Sequence, residues 1–166
     1  MKRSASETNT HDKSAVLQAT RGFNETPIHA GRSRDTLQRV AVLAAKGALT
    51  RTEATAAFFS TTKLFQSTDV GLRQMLCVAI KELAPFADDT MMVTASLAKD
   101  AARLDAATRP NALRALAVIT PPSMLQGIER FIKQALTDRN PSVCAAALVS
   151  CFHFMATRYY KSNSGI

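Results

Sequence analysis

Side chains able to carry chemistry are few in this sequence and lie far apart along it. The three histidines are His11, His29 and His153, which fall in a polar N-terminal stretch, a proline turn and a late apolar segment. Metal binding and nucleophilic catalysis need such groups at fixed short spacings, as in HExxH, and the sequence has no such motif and no glycine-rich phosphate loop. The histidines therefore predict neither a metal site nor a catalytic base.

Paired carboxylates occur once, at Asp88 and Asp89, a combination that general acid–base catalysis can use. The pair directly precedes a helical pattern, however, and acidic residues in that position commonly cap a helix or interact with its dipole. Ser123 and Ser150 have no neighbouring base in the sequence that would activate them. We therefore expect no catalytic residues, no metal ligands and no cofactor, and we predict that the chain is not an enzyme.

Composition narrows the class of protein further. The three cysteines, Cys77, Cys144 and Cys151, lack CxxC spacing and are expected to be small buried apolar residues. The polar N-terminus contains no secretory apolar core, and no apolar run is long enough to cross a bilayer, so we expect a cytoplasmic protein. A net charge of +8 predicts an anionic partner. Because the basic residues are dispersed and not interleaved with aromatics, nucleic acid is not the expected one.

Helices are the elements that must position any functional surface. Apolar residues recur at steps of three and four in eight segments, and few glycines and prolines interrupt them. The clearest stripe lies between Asp69 and Leu83. Gly47 is a plausible C-terminal cap, and Pro121-Pro122 ends a helix. The predicted fold class is all-α.

A repeated link joins some of these helices. Three polar connections, at residues 67–73, 108–114 and 138–144, each lead into a helix whose first core residue comes about one turn later. Uneven spacing between such links is typical of degenerate helical repeats. We therefore predict an α-solenoid of HEAT/ARM-like helical pairs with about eight helices, while a single helical bundle is the alternative.

The predicted domain limits follow the polarity of the chain. Residues 1–12 are polar and are expected to be a disordered tail, residues 13–157 carry the helical pattern, and residues 158–166 form a polar C-terminal tail. Within the pattern, Met91-Met92-Val93-Thr94 places side chains around most of one helix. This string is the best candidate for a protein contact, since methionine suits adaptable interfaces. The alternative is that neighbouring helices pack this helix on both sides.

Several strings resemble the N-terminal trunk of the coatomer gamma subunits, which belong to the coat of Golgi-derived transport vesicles. The most specific are Phe-Asn-Glu-Thr-Pro-Ile at residues 23–28 and Thr-Lys-Leu-Phe-Gln-Ser at residues 62–67. Further matching strings lie at residues 13–18, 52–55, 57–59, 93–100, 114–116, 124–126, 128–130, 141–143 and 147–150. The resemblance extends from Lys13 to Phe154 and lapses over residues 155–166.

The resemblance implies an adaptin-type α-solenoid trunk that works as a non-enzymatic scaffold without a cofactor, in Golgi-to-ER and intra-Golgi vesicle transport. The implied partners are a small zeta-type subunit, a beta-type large subunit and an Arf-family GTPase in its GTP form. The implied location is cytoplasmic and peripheral on Golgi membranes and transport vesicles. By position, Met91 and Thr94 would face the switch regions of the GTPase.

Family members of this kind are several times longer than this chain. The resemblance therefore implies a piece of a trunk, and an interrupted solenoid leaves an apolar face open and is expected to be marginally soluble. The alternative function is that of a basic helical-repeat protein that binds RNA or another acidic partner.

Overall fold

Every regular element in the described part of the chain is helical. A computed structural model describes residues 5–88, 90–103 and 106–163, with side chains described from residue 12 to residue 156 apart from Pro122. The α-helices within these ranges are α1 (Ala5–Ala19), α2 (Ala30–Ala45), α3 (Arg51–Ser60), α4 (Val70–Leu83), α5 (Met91–Ala101), α6 (Arg109–Ile119), α7 (Leu125–Leu136) and α8 (Pro141–Asn163). Short 3₁₀ turns cover Thr20–Asn24, Thr61–Gln66, Ala84–Phe86 and Pro122–Met124. The all-α prediction and the count of eight helices are confirmed for this part of the chain.

The chain divides into two compact units, Met1–Asp89 and Thr90–Ile166, and each contains two consecutive helix pairs. In the first unit α1 pairs with α2 and α3 with α4, while α2 packs along α4. In the second unit α5 pairs with α6 and α7 with α8, while α6 packs along α8. The second helix of one pair therefore contacts the second helix of the next, as in a helical repeat.

The cores of the two units are made of these contacts. Fully buried large side chains in the first unit include Leu37, Val40, Phe58, Leu72 and Leu76. Those in the second unit include Leu97, Leu113 and Leu116. Small residues on the second helices are also buried, since Ala79, Ala112, Ala115, Ala146 and Ala147 are almost completely inaccessible to solvent. Alanine at these positions favours both helix formation and close approach of the helix axes.

Local signals set several helix ends as the sequence predicts. The residue after the C-cap of α2 is Gly47, whose φ of +63° lies in the left-handed region that glycine favours. Its N–H donates to the Ala44 carbonyl (2.9 Å), which satisfies one of the carbonyls at the helix end. Asp69 caps α4, because its carboxylate accepts a hydrogen bond from the Leu72 N–H (2.6 Å). The predicted cap at Gly47 is confirmed, and Asp69 caps the start of the stripe that the sequence marks.

The three repeated links occupy equivalent places in the fold. The links at residues 67–73, 108–114 and 138–144 lead into α4, α6 and α8, and each of these is the second helix of its pair. The first two links each contribute a buried arginine. Arg73 donates to the carbonyls of Phe65 and Ser67 within its own link region. The three similar sequence segments are therefore links at equivalent positions of successive helix pairs.

Arg109 joins two of these links in the second unit. Its Nε donates to the Ala101 carbonyl (3.2 Å), and its Nη1 lies 2.7 Å from Oδ2 of Asp138. The same carboxylate accepts a hydrogen bond from the Asn140 N–H (2.8 Å). This bond, together with the Arg109 guanidinium, holds the pKa of Asp138 below its usual range. The ion pair therefore links the α5–α6 connection to the α7–α8 connection.

The ends of the chain differ from the predicted domain limits. α1 begins at Ala5, so the backbone of residues 5–12 is helical where the sequence predicts a disordered tail. Extending an existing helix costs less free energy than nucleating one, and this polar segment continues the turns around Val16, which is buried. Likewise α8 continues to Asn163, into the predicted C-terminal tail. Residues 1–4 and 164–166 lie outside the described residues.

The depressed pKa of Asp138 predicts acid sensitivity. A carboxyl with a lowered folded-state pKa stabilises the fold above its unfolded-state pKa, and this contribution is lost as the pH falls through the folded value. We expect the free energy of unfolding to fall below about pH 4, and to fall less steeply in Asp138→Asn. Urea unfolding at neutral pH and near pH 3.5, followed by circular dichroism, measures both slopes. Equal slopes for the two proteins would contradict this role of Asp138.

Candidate protein-interaction surface

α5 carries the string that the sequence singles out, and its first turn is held by threonine hydroxyls. The Thr94 hydroxyl donates to the Thr90 carbonyl (2.9 Å). This bond gives the hydroxyl of a buried side chain a partner at the start of the helix. The Thr90 hydroxyl donates to the Ile119 carbonyl at the end of α6 (3.5 Å). These bonds fix the start of α5 against α6.

The helix has one buried face and one exposed face. Val93, Thr94 and Leu97 point into the second unit and are at most 6% exposed. Met91 and Met92 point outward and are 58% and 61% exposed. Within the second unit, neighbouring helices therefore pack α5 on one side, and the alternative of packing on both sides does not describe the helix there.

The two residues predicted to contact a GTPase lie on different faces. Met91 is on the exposed face, whereas Thr94 is buried and its hydroxyl is already bonded within the helix. Direct contact between the Thr94 side chain and a partner does not fit this geometry. Met92 belongs to the candidate string but not to the pair predicted by position, and it lies beside Met91 on the exposed face.

We call the exposed face of α5 the Met91 surface and define it by Met91, Met92, Ala95 and Lys99, all of which are exposed. Two flexible thioether side chains stand at its N-terminal end, and an ammonium group stands at its C-terminal end. Methionine adapts to irregular partner surfaces, and a lysine at the edge favours an acidic neighbour. The arrangement suits protein binding and contains no group with the geometry of a catalyst.

Other residues considered for chemistry have structural partners. The Asp88 carboxylate forms an exposed ion pair with Arg51 in the first unit instead of capping α5. The Ser150 hydroxyl donates to the Ala146 carbonyl (2.8 Å) inside the second unit. Burial raises the pKa of the Cys77 thiol to about 11, which keeps it protonated and unreactive at neutral pH. Asp89 and the side chain of His11 lie outside the described residues.

Among the described residues, no group of three or more histidine, cysteine, aspartate or glutamate side chains is close enough to hold a metal ion. No helix in the described part of the chain has the length and apolar content needed to cross a membrane.

The two most specific sequence strings contact each other. Lys63, in the string at residues 62–67, donates to the Asn24 carbonyl (2.6 Å) and lies 3.3 Å from the Thr26 hydroxyl, both in the string at residues 23–28. Phe23 and Leu64 are buried beside this contact. The strings therefore form one structural contact between the two helix pairs of the first unit.

Helix pairs stacked through their second helices, with an exposed face on a first helix, define a helical-repeat fold. The family model for the adaptin N-terminal region matches residues 11–160, and the chain belongs to this family. Its fold class is accordingly the all-α solenoid of helical pairs that the sequence predicts.

Individual relatives narrow the comparison to one kind of subunit. The chain is 48% identical over 145 residues to the probable coatomer subunit gamma of Caenorhabditis elegans and to coatomer subunit gamma-1 of Homo sapiens. It is 47% identical over 147 residues to coatomer subunit gamma of Anopheles gambiae. These matches cover 87% to 88% of this chain but 17% of each relative. The predicted resemblance to coatomer gamma subunits is confirmed.

The division of α5 into two faces makes a prediction about stability. The same substitution, to lysine, is made at Met91 and at Thr94. We expect Met91→Lys to change the free energy of unfolding by less than about 0.5 kcal/mol, because the site is exposed. Thr94→Lys should lower it by more than about 2 kcal/mol, because a charge would be buried without a partner. Urea titrations of both variants measure the difference, and similar losses in both would show that the assignment of faces is wrong.

Proposed function

We propose that the chain acts as a non-enzymatic scaffold in a vesicle coat, as the N-terminal part of a coatomer gamma-type subunit. The observation that carries the proposal is 47% to 48% identity, over most of this chain, to proteins named coatomer subunit gamma. The helical-pair fold supports it, because stacked repeats offer extended surfaces to partners. The coat acts in Golgi-to-ER and intra-Golgi transport, and the chain is cytoplasmic and peripheral on Golgi membranes and vesicles.

The proposed partners are of two kinds. Within the coat, the chain contacts a small zeta-type subunit and a beta-type large subunit. At the membrane it binds an Arf-family GTPase in its GTP form, and this contact is made by the Met91 surface. The net charge of +8 favours the approach of the chain to an acidic membrane face or an acidic GTPase surface.

We assign different tasks to Met91 and Thr94, and the different burial of the two side chains on α5 supports this division. Met91 and its neighbour Met92 supply the apolar anchor, since both are more than half exposed. Thr94 acts behind them, by bonding to the Thr90 carbonyl and packing into the second unit. Buried apolar anchors provide much of the affinity of protein interfaces, and a charge at the anchor is strongly unfavourable.

A nucleotide-dependent pull-down tests the proposal. An immobilised Arf-type GTPase, loaded with a non-hydrolysable GTP analogue or with GDP, is incubated with the purified chain. We expect retention on the GTP form alone, with affinity reduced about 10-fold or more in Met91→Asp. The matched control is Val42→Asp, because Val42 is a 45% exposed apolar residue on α2 and outside the proposed surface.

Two results would contradict the proposal. Equal retention on the GDP form would show that binding does not depend on the nucleotide bound to the GTPase. Equal loss of affinity in the Met91 and Val42 variants would show that the Met91 surface is not the contact. If RNA binding that weakens steeply with salt occurs without GTPase binding, the alternative of a basic helical-repeat protein that binds nucleic acid is favoured.

A further inference from the structure

A cavity in the first unit lies beside the connection between α1 and α2. It has a volume of about 440 Å³, which is within the range of small-molecule sites in proteins. Six of its lining side chains can donate a hydrogen bond to a ligand: Gln18, Arg21, His29, Arg32, Ser33 and Thr36. Four of these belong to the N-cap and first turns of α2.

The backbone at the start of α2 leaves donors unused. The first hydrogen bond of the helix runs from the Ser33 N–H to the His29 carbonyl (2.9 Å), so the N–H groups before Ser33 have no acceptor within the helix. The His29 side chain forms no capping hydrogen bond with these described groups. A Cβ added to Gly31 would meet no described atom within 4 Å. An anion can therefore approach the start of the helix directly.

The charges around this helix start favour an anion as well. A helix N-terminus carries about +0.5 of an elementary charge, and an acidic residue in the first turn usually compensates it. The first turn of α2 contains no acidic residue, and the guanidinium groups of Arg21 and Arg32 line the cavity beside it. In the part of the chain that the structure describes, neither arginine forms an ion pair.

One carboxylate, from Glu25, also lines the cavity. Its Oε1 would lie 3.7 Å from a Cβ added to Gly22, so the side chain folds back towards its own turn. Two arginine charges less one glutamate charge leave the lining at +1, and the start of α2 adds about +0.5. The cavity therefore keeps a positive charge that Glu25 does not cancel.

The hydroxyl of Ser33 points most directly to a ligand. Ser33 is 4% exposed, and its hydroxyl forms no hydrogen bond with another described residue. Since no fully enclosed polar side-chain atom in the described ranges lacks a partner, this hydroxyl opens to the cavity that Ser33 lines. Every other buried hydroxyl among the described residues donates to a backbone carbonyl of its own helix or turn, namely those of Thr20, Thr61, Thr94, Thr120 and Ser150.

The number and charge of these donors select the class of anion. A carboxylate has one charge and two oxygens, whereas a phosphate monoester has about −1.5 to −2 charges at neutral pH and three terminal oxygens. Guanidinium groups bind phosphate through two parallel hydrogen bonds, and helix N-termini bind it through backbone N–H groups. Two arginines, the start of α2 and a buried hydroxyl therefore match a phosphate monoester better than a carboxylate.

We propose that this cavity, which we call the Ser33 site and define by Arg21, His29, Arg32 and Ser33, binds a phosphate monoester group. The phosphate lies at the start of α2 and accepts hydrogen bonds from the Ser33 hydroxyl and the two guanidinium groups. The site belongs to the first unit, whereas the Met91 surface belongs to the second. It does not depend on GTPase binding or on assembly into a coat.

A nuclear magnetic resonance titration of the purified chain with inorganic phosphate tests the site. We expect saturable shifts of the Gly31 and Arg32 amide signals, and a dissociation constant raised about 10-fold in Arg32→Gln. The matched control is Arg39→Gln, because Arg39 is also an exposed arginine of α2 but lies outside the cavity. Chloride at equal ionic strength corrects for general screening.

The variant Ser33→Ala separates a ligand-binding hydroxyl from a structural one. We expect the affinity for phosphate to fall about 5-fold, because one hydrogen bond is lost. Without phosphate the free energy of unfolding should be unchanged or higher, since no bond within the protein is removed and alanine favours the helix. Urea unfolding measures this free energy, and a loss of stability without a loss of affinity would contradict the proposal.

A further comparison distinguishes a lipid headgroup from a soluble ligand. The soluble probe is glycerol 3-phosphate. The lipid probes are phosphatidylcholine vesicles with phosphatidic acid, a phosphate monoester, or with phosphatidylserine, a diester, at equal surface charge. Preference for phosphatidic acid that is lost in Arg32→Gln and kept in Arg39→Gln supports the site and identifies a lipid. Binding of glycerol 3-phosphate without vesicle binding supports the site and identifies a soluble ligand.

Two results would overturn the proposal. Shifts that spread over the basic residues of the whole chain without saturating would show general attraction of anions to a basic protein. Equal losses of phosphate affinity in the Arg32 and Arg39 variants would show that the cavity has no special part in binding.

Discussion

Close packing between the second helices of successive pairs is the constraint on which the other features depend. α2 lies along α4 and α6 along α8, and small side chains on such helices allow the axes to approach closely. α4 and α6 have at least half of their residues buried, whereas α8 is buried on one side and exposes the other. The first helix of a pair packs on one side and keeps the other for solvent or a partner. The position of the Met91 surface on α5 follows from this division.

The backbone groups of the polar links need hydrogen-bond partners that leave the packing between the helices unchanged. A connection between helices leaves backbone carbonyls without helical partners, and burying them unpaired costs free energy. Arg73 and Arg109 solve this problem with side chains that reach back to carbonyls of the preceding segment. Arg109 also pairs with Asp138 and so makes one link depend on the next. Each of these two buried arginines therefore organises the connection in which it lies.

Much of the fold was predictable because its signals are local. Periodicity marked the eight helices, Gly47 and Asp69 marked ends, and the repeated links marked where second helices begin. The extra turns at both ends of the chain were not predictable, because helix propagation into polar sequence leaves no apolar pattern. For the candidate surface, the helix could be predicted from the sequence but the residue that faces outward could not. Adjacent methionines pointed to α5, but which of Met91 and Thr94 faces outward depends on packing against α6, which sequence spacing does not specify.

The one-sided burial of α5 has a consequence for how such a surface changes over generations. Val93 and Leu97 hold the helix in the fold, while Met91 and Met92 contribute little to that task because they are exposed. Under the proposed function, substitutions at the methionines are filtered mainly by partner binding, and those at the buried positions mainly by folding. Descendants of one ancestral chain can acquire different partners on this helix while the trunk beneath it stays intact.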